Sequence, residues 1–238
     1  MLHQHPFSIR MFIPNGDSDG LRIVEKSNWT GVGVVLKRSN YKQLSSRQEA
    51  DRTGVYILVG DPVEGAMPTI YVGEGDPVKR RLDAHYRNKE FWDWAVLFTS
   101  KDNSLNKAHV KHLEARLLIL AADAKRCHLE NNGASLAPTL SEAETADMES
   151  FLADIKSILP LVGLSVFEQS KGATSHNGLV LHLHSKRYSA RGYEDAEGFV
   201  VCEGSELGSV NIKNVLARSN LLPLDRPLND ALIKFKLQ

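Results

Sequence analysis

Between Gly54 and His85 the chain alternates and then changes period. Val55, Ile57 and Val59 alternate with Tyr56 and Leu58, the pattern of a half-buried strand. Ile70 and Val72 flank Tyr71 in the same way, and Pro62, Gly65 and Pro68 stand between the two runs. The pair predicts an antiparallel hairpin with a longer loop. At Asp76 and Pro77 the pattern predicts an N-cap with proline at the first helical position. Val78, Arg81, Leu82 and His85 follow at i, i+3, i+4 and i+7, one face of a helix.

The flanks extend this pattern. Residues 7–37 predict a β-meander, and Asn40 is placed to cap a short helix through about Arg52. FWDWAVLFTS (91–100) predicts a third strand, with Trp92 and Trp94 of one parity. Those indoles are core residues, or one of them is a base-stacking platform. Residues 104–126 have the composition and period of a helix. Ser141 and Glu144 make a capping box, and Met148, Phe151, Leu152, Ile155, Ile158 and Leu159 trace a stripe that ends at Pro160. VGLSVF (162–167) predicts a strand. In the last segment GLVLHLH (178–184) and GFVVCEGS (198–205) predict strands, with helices at about 210–221 and 227–235.

Composition changes the picture modestly. The 238 residues carry a formal net charge of zero and 24% charged side chains, so no strong field announces a nucleic-acid partner. Charge is segregated all the same: residues 79–89 and 101–126 lean basic, and 142–154 are acidic. Cys127 and Cys202 form no CxxC pair, the first residues lack a signal peptide's build, and no apolar run reaches the ~20 residues a bilayer span needs. Reduced thiols in a cytoplasmic protein, away from membranes, are expected.

The chemistry concentrates in the hairpin and the helix after it. A helix whose apolar side also carries Arg81 and His85 aims those groups at something, or they sit at the stripe's edge and reach solvent. GVY (54–56) and YVG (71–73), with Arg81 and then His85 downstream, resemble the signature of the GIY-YIG endonucleases. The resemblance covers roughly residues 54–131. It implies an α+β fold with a small three-stranded antiparallel sheet flanked by helices. Around that sheet the segments expected are a β-rich extension (1–52), the nuclease domain (53–135), a docking helix and linker (136–168) and a small α+β unit (169–238). GFVVCEGS and its surroundings are similar to a domain of unknown function that follows such nucleases in some bacterial proteins, with that domain's usual tail shortened.

The resemblance also implies roles. The partner is a nucleic acid, with DNA expected, and the reaction is hydrolysis of a phosphodiester. Tyr56 would take a proton from the attacking water or orient it, and Tyr71 would lie against that water or the phosphate. Arg81 would offer a forked donor to the phosphate oxygens. The family's metal-binding glutamate falls on Glu114, which a helical wheel sets among Val110, Leu117, Leu118 and Ala121. There it holds one Mg²⁺ (or Mn²⁺), or it pairs with Arg81 or Lys107. His109 and His112 fall on the opposite side of that wheel and are expected in solvent. Asn131 or Asn132 supplies the family's asparagine, and Asn131 is the choice. A phenol is a poor base at neutral pH unless its proton is relayed, and His85 is placed for that relay.

One departure stands out. Some members carry a lysine three residues after the second tyrosine, where this chain has Glu74. That leaves open what tunes Tyr56 and offers a second carboxylate near the metal. Arg80, Lys186, Arg187 and Arg191 are candidate nucleic-acid contacts, the last three equally an edge strand protected by charge. The β-prefix extends the nuclease sheet or contacts DNA through Trp29, Lys37 and Arg38, or it is a packed β-appendage. His182 and His184 share a strand face without further ligands for zinc. Two other classes remain, a catalytically silent nucleic-acid-binding regulator on the same fold and an interaction scaffold. The complete set of Tyr56, Tyr71, Arg81 and Glu114 favours the enzyme.

Overall fold

Runs of β-branched and aromatic residues pair across the first half of the chain into a single sheet. The computed structural model describes residues 6–62, 67–131, 137–168, 180–184, 189–195, 198–202, 205 and 234–235. The chain divides into two units, residues 1–169 and 170–238. In the first unit the strands are β1 (Ile9–Phe12), β2 (Arg22–Lys26), β3 (Gly31–Lys37), β4 (Gly54–Gly60), β5 (Thr69–Gly75), β6 (Trp94–Ser100) and β7 (His128–Leu129). Their spatial order is β1-β2-β3-β6-β4-β5-β7, antiparallel throughout except for the parallel β5–β7 pair.

The expected trio β4, β5 and β6 is therefore part of a larger seven-stranded sheet. β3 pairs along its whole length with β6, so the N-terminal meander continues the sheet that carries the hairpin. Four helices accompany it: α1 (Tyr41–Leu44), α2 (Val78–Asn88), α3 (Lys107–Ala124) and α4 (Glu142–Ile158). One face of the sheet, with Tyr56, Leu58 and Leu97, packs against Val78 and Leu82 of α2. The other, with Val55, Ile57, Val72 and Phe98, packs against Val110, Leu113 and Leu117 of α3 and Phe151 and Ile155 of α4. Every residue of β4 is buried, because helices cover both faces and strands lie on both sides. The half-buried expectation for β4 fails for that reason.

Several local expectations are corrected. α1 stops at Leu44, with a separate 3₁₀ turn at Gln48–Asp51; Asn40 spends its side-chain amide on the carbonyl of Asp19 (3.1 Å) and caps nothing. Pro77, not Asp76, is the N-cap of α2, and the Asp76 carboxylate instead accepts a 2.8 Å bond from the Thr53 hydroxyl. β6 begins only at Trp94, so Trp92 and Trp94 escape strand parity. Trp92 is buried on the α2 side, while Trp94 packs on the α3 side and donates its indole N–H to Asp61. The capping box of α4 forms between Ser141 and Glu144. VGLSVF makes no strand: Gly163, with φ of +98°, turns the chain so that Val162, Leu164, Val166 and Phe167 close the α3–α4 core.

The second unit contains an antiparallel sheet ordered β11-β10-β9-β8, from β8 (Leu181–His184), β9 (Ser189–Asp195), β10 (Gly198–Val201) and β11 (Lys234–Phe235). Lys234 and Phe235 are strand where a helix was expected, and residues 210–221 lie outside the described residues. Among the described residues no helix is long and apolar enough to cross a membrane.

Candidate active site

The antiparallel register of β4 and β5 sets Tyr56 opposite Gly73. Gly73 has no side chain, so the Tyr56 ring lies across it: a Cβ at 73 would stand 2.4 Å from the phenol oxygen and 2.9 Å from the Tyr71 ring. Tyr71, two residues along β5, shares that face, with ring centroids 6.3 Å apart. α2 crosses above. Its His85 ring stands 4.8 Å from Tyr71 and 5.8 Å from Tyr56. Tyr56 is fully buried, and neither its hydroxyl nor His85 Nε2 has a hydrogen-bond partner. Two polar atoms so enclosed are unusual, because buried polar groups are nearly always bonded.

Electrostatics bind the cluster together. Burial pushes the Tyr56 phenol well above its ordinary value, the neighbouring Tyr71 phenol and the Glu114 carboxylate push the same way, and the Arg81 guanidinium pulls it down. Tyr71 is raised by burial and by Glu114, against Arg81. Arg81 itself is exposed on the first turns of α2, with its charge close to both phenols but no well-formed bond to the Tyr56 hydroxyl. Burial, Arg81 and Lys89 together lower His85 to about 4, so its imidazole is neutral at physiological pH.

Glu114 belongs to α3, whose apolar face packs on the side of the sheet opposite Tyr56. Its carboxylate is half-buried, at the edge of the stripe and not in its middle, and both phenols feel its charge. β7 pairs only with Thr69 and Ile70, so the later part of β5, from Gly73 to Gly75, is a sheet edge. Tyr56, Tyr71 and His85 cluster on the α2 face beside that edge with the Arg81 charge close by, and Glu114 reaches them from α3 through its charge.

The structure also shows partners that spacing did not reveal. Lys107, at the start of α3, grips both oxygens of Glu74 at 2.7 and 2.5 Å, so Lys107 is committed to Glu74 and the extra carboxylate is neutralised. Lys89 lies 4.7 Å over the Tyr71 ring, one further step in the series Arg81, His85, Lys89, a signal the i, i+4, i+8 spacing carried. Asn131 is held by backbone at both ends of its amide: its Oδ1 accepts from Val72 N–H at 2.9 Å and its NH₂ donates to the Val72 carbonyl at 2.7 Å. It completes the edge of β5 where β7 ends.

Other candidates sit elsewhere. Arg80 is exposed on α2. Arg191 is exposed on β9, opposite His182, and Lys186, Arg187 and Asn132 lie outside the described residues. His182 and His184 stack with ring centroids 6.2 Å apart. His112, expected in solvent, is buried and bonds Glu149 of α4 at 3.0 Å, where Arg116 also docks. His109 closes a capping box with Asn106. Trp29 is core, packed 5.0 Å from Phe151; Lys37 pairs with Asp19, and Arg38 bonds the carbonyls of Tyr86 and Lys89. Among the described residues no group of three or more His, Cys, Asp and Glu side chains comes together as a metal cage. In comparison with known proteins, no family model, no curated protein and no solved structure matches the chain.

Proposed function

We infer that the chain is a metal-dependent endonuclease of the GIY-YIG type, hydrolysing phosphodiester bonds of nucleic acid, with DNA the expected substrate. One observation carries the reading. A fully buried phenol hydroxyl with no well-formed hydrogen bond lies beside a second phenol and under the charge of an exposed guanidinium, and the charge of a helix-borne carboxylate reaches both phenols. The core trio β4, β5 and β6 with α2 and α3 on opposite faces agrees with the family's sheet.

Arg81 has its charge beside both phenols and its side chain open to solvent, which suits a forked donor to phosphate oxygens as negative charge builds. Tyr56 orients the attacking water. Its raised pKa leaves no standing phenolate at neutral pH, so it accepts the water's proton only as it gives up its own, concerted with attack. His85 is a neutral imidazole with an unbonded Nε2, a suitable acceptor for that proton through a bridging water. Tyr71, under the charge of Lys89, borders the phosphate. Lys107 keeps Glu74 from competing for Arg81.

The donor set suits magnesium. A single half-buried carboxylate, Glu114, with Glu74 neutralised and no thiol or imidazole cluster among the described residues, matches an ion that keeps its waters and takes one or two carboxylates plus phosphate oxygens. When bound, such an ion polarises the phosphate and stabilises the leaving oxygen.

Plasmid nicking with Mg²⁺ tests the reading. The wild type is expected to nick, and Tyr56→Phe and Glu114→Ala to lose at least ~100-fold in rate with unchanged circular dichroism. Equal cleavage by Glu114→Ala removes the metal assignment. DNA binding without nicking by the wild type replaces the enzyme with a regulator.

A further inference from the structure

A second basic feature lies at the far side of the same sheet. Where β2 turns into β3, a groove of about 590 Å³ is walled by Arg10, Lys26, Lys101, Glu25, Asn28 and Trp29, among others. Glu25 receives both Arg10 and Lys101, so two cations share one carboxylate and a positive charge is left over. Lys26 is already neutralised by Asp154 of α4. The Trp29 indole N–H is buried and unbonded. Its six-membered ring is pressed against Gly31, where a Cβ would come within 2.0 Å, which fixes the wall. A polar, net-positive groove suits an oxyanion and not an apolar ligand.

Register ties this groove to the hairpin. Gly31 pairs with Ser100, and Gly54 pairs with both Thr99 and Gly75. The amide of Lys101 bonds the carbonyl of Thr30, so the groove and the Glu74–Gly75 end of β5 lie at one end of the sheet. From β5 to β3 is three strand spacings, roughly 14 Å at ~4.8 Å each. At ~3.4 Å per nucleotide step, that is about four steps. Arg52, whose guanidinium bonds the Ser100 carbonyl, stands on the way.

We propose that this groove holds the phosphodiester backbone of the same nucleic acid, about four nucleotide steps from the bond that is cut. The proposal rests on the nuclease reading above. It makes the N-terminal strands a substrate clamp, with Arg10 and Lys101 as the contacts and Glu25 as a brake on them.

The test is fluorescence anisotropy with a labelled duplex long enough to span both places, on full-length protein carrying Tyr56→Phe to prevent cutting. Arg10→Gln with Lys101→Gln should weaken binding ~10-fold or more and flatten the dependence of log K on log salt by up to ~2, near 0.9 per lost phosphate contact. Glu25→Gln, which frees the same cations, should tighten binding. The Arg10 and Lys101 side chains are 78% and 43% exposed, so thermal unfolding should show the fold retained. Unchanged affinity and slope, or weakening by Glu25→Gln, overturns the groove; if wild-type nicking persists alongside, the nuclease reading survives. A wild type that neither binds nor nicks overturns both.

Discussion

The hydroxyl of Tyr56 occupies the space that a side chain at residue 73 would take, 2.4 Å from where the Cβ would stand. The two residues face each other across β4 and β5, so the absence of a side chain at 73 is what lets the phenol lie across the neighbouring strand toward Tyr71. Gly73→Ala must displace the ring or spread the hairpin. It should abolish nicking about as thoroughly as Tyr56→Phe and lower stability by ~1–3 kcal/mol in denaturant unfolding. Full nicking by Gly73→Ala would mean that the ring works from some other position.

Tyr56→Phe separates a functional hydroxyl from a structural one. The substitution keeps the ring and deletes a buried oxygen that makes no well-formed hydrogen bond. Stability should therefore hold or rise by up to ~1 kcal/mol while nicking is lost. A clear fall in Tm would show that the hydroxyl serves the fold.

What the sequence made legible was local. The β4–β5 hairpin, α3 and the Ser141–Glu144 cap each follow from residues close together in the chain. The union of β3 with β6 was open only as one alternative for the N-terminal strands, and its register was out of reach, because β3 is GVGVVLK, buried at all but its last position and without the alternation that tells one face from the other. His112 was misread since the wheel of α3 cannot know that α4 covers the side away from Glu114. The cluster divides likewise: order and spacing single out Tyr56, Tyr71, Arg81 and His85, which the fold brings near one another. Lys107 on Glu74 needed the packing of α3 against the β5 edge, and the reason for Gly73 needed the register.

His85 gives the protein a pH signature. Burial and the charges of Arg81 and Lys89 hold it at about 4, below the 6.5 of a free side chain. Between those values the unfolded chain binds the extra proton, so this residue's contribution to stability is present above 6.5 and is lost as pH falls toward 4. In NMR the ring should titrate near 4. The rise of Tm with pH over that window should be shallower in His85→Leu than in the wild type. A midpoint near 6.5 would mean a solvated ring, and the proposed relay would lose its neutral, enclosed acceptor.

Asn131 is tied to both backbone groups of Val72, which makes it a positioning residue for the β5 edge and sets up a test that a catalytic contact would fail differently. Asn131→Ala loses both bonds and should cost ~1–3 kcal/mol while leaving measurable nicking at low temperature, unlike Glu114→Ala. Asn131→Asp keeps an acceptor for the Val72 N–H but turns a second acceptor toward the Val72 carbonyl. When ionised it should therefore destabilise more than Asn131→Ala, since two oxygens then face each other. Protonation restores a donor, so the folded state holds the new carboxyl's pKa above its unfolded value. Stability relative to wild type should thus recover as pH falls through that raised value. Urea unfolding at mildly acidic and neutral pH measures the difference. If Asn131→Ala instead loses nicking as completely as Glu114→Ala with its stability intact, Asn131 touches the substrate and its grip on Val72 is secondary.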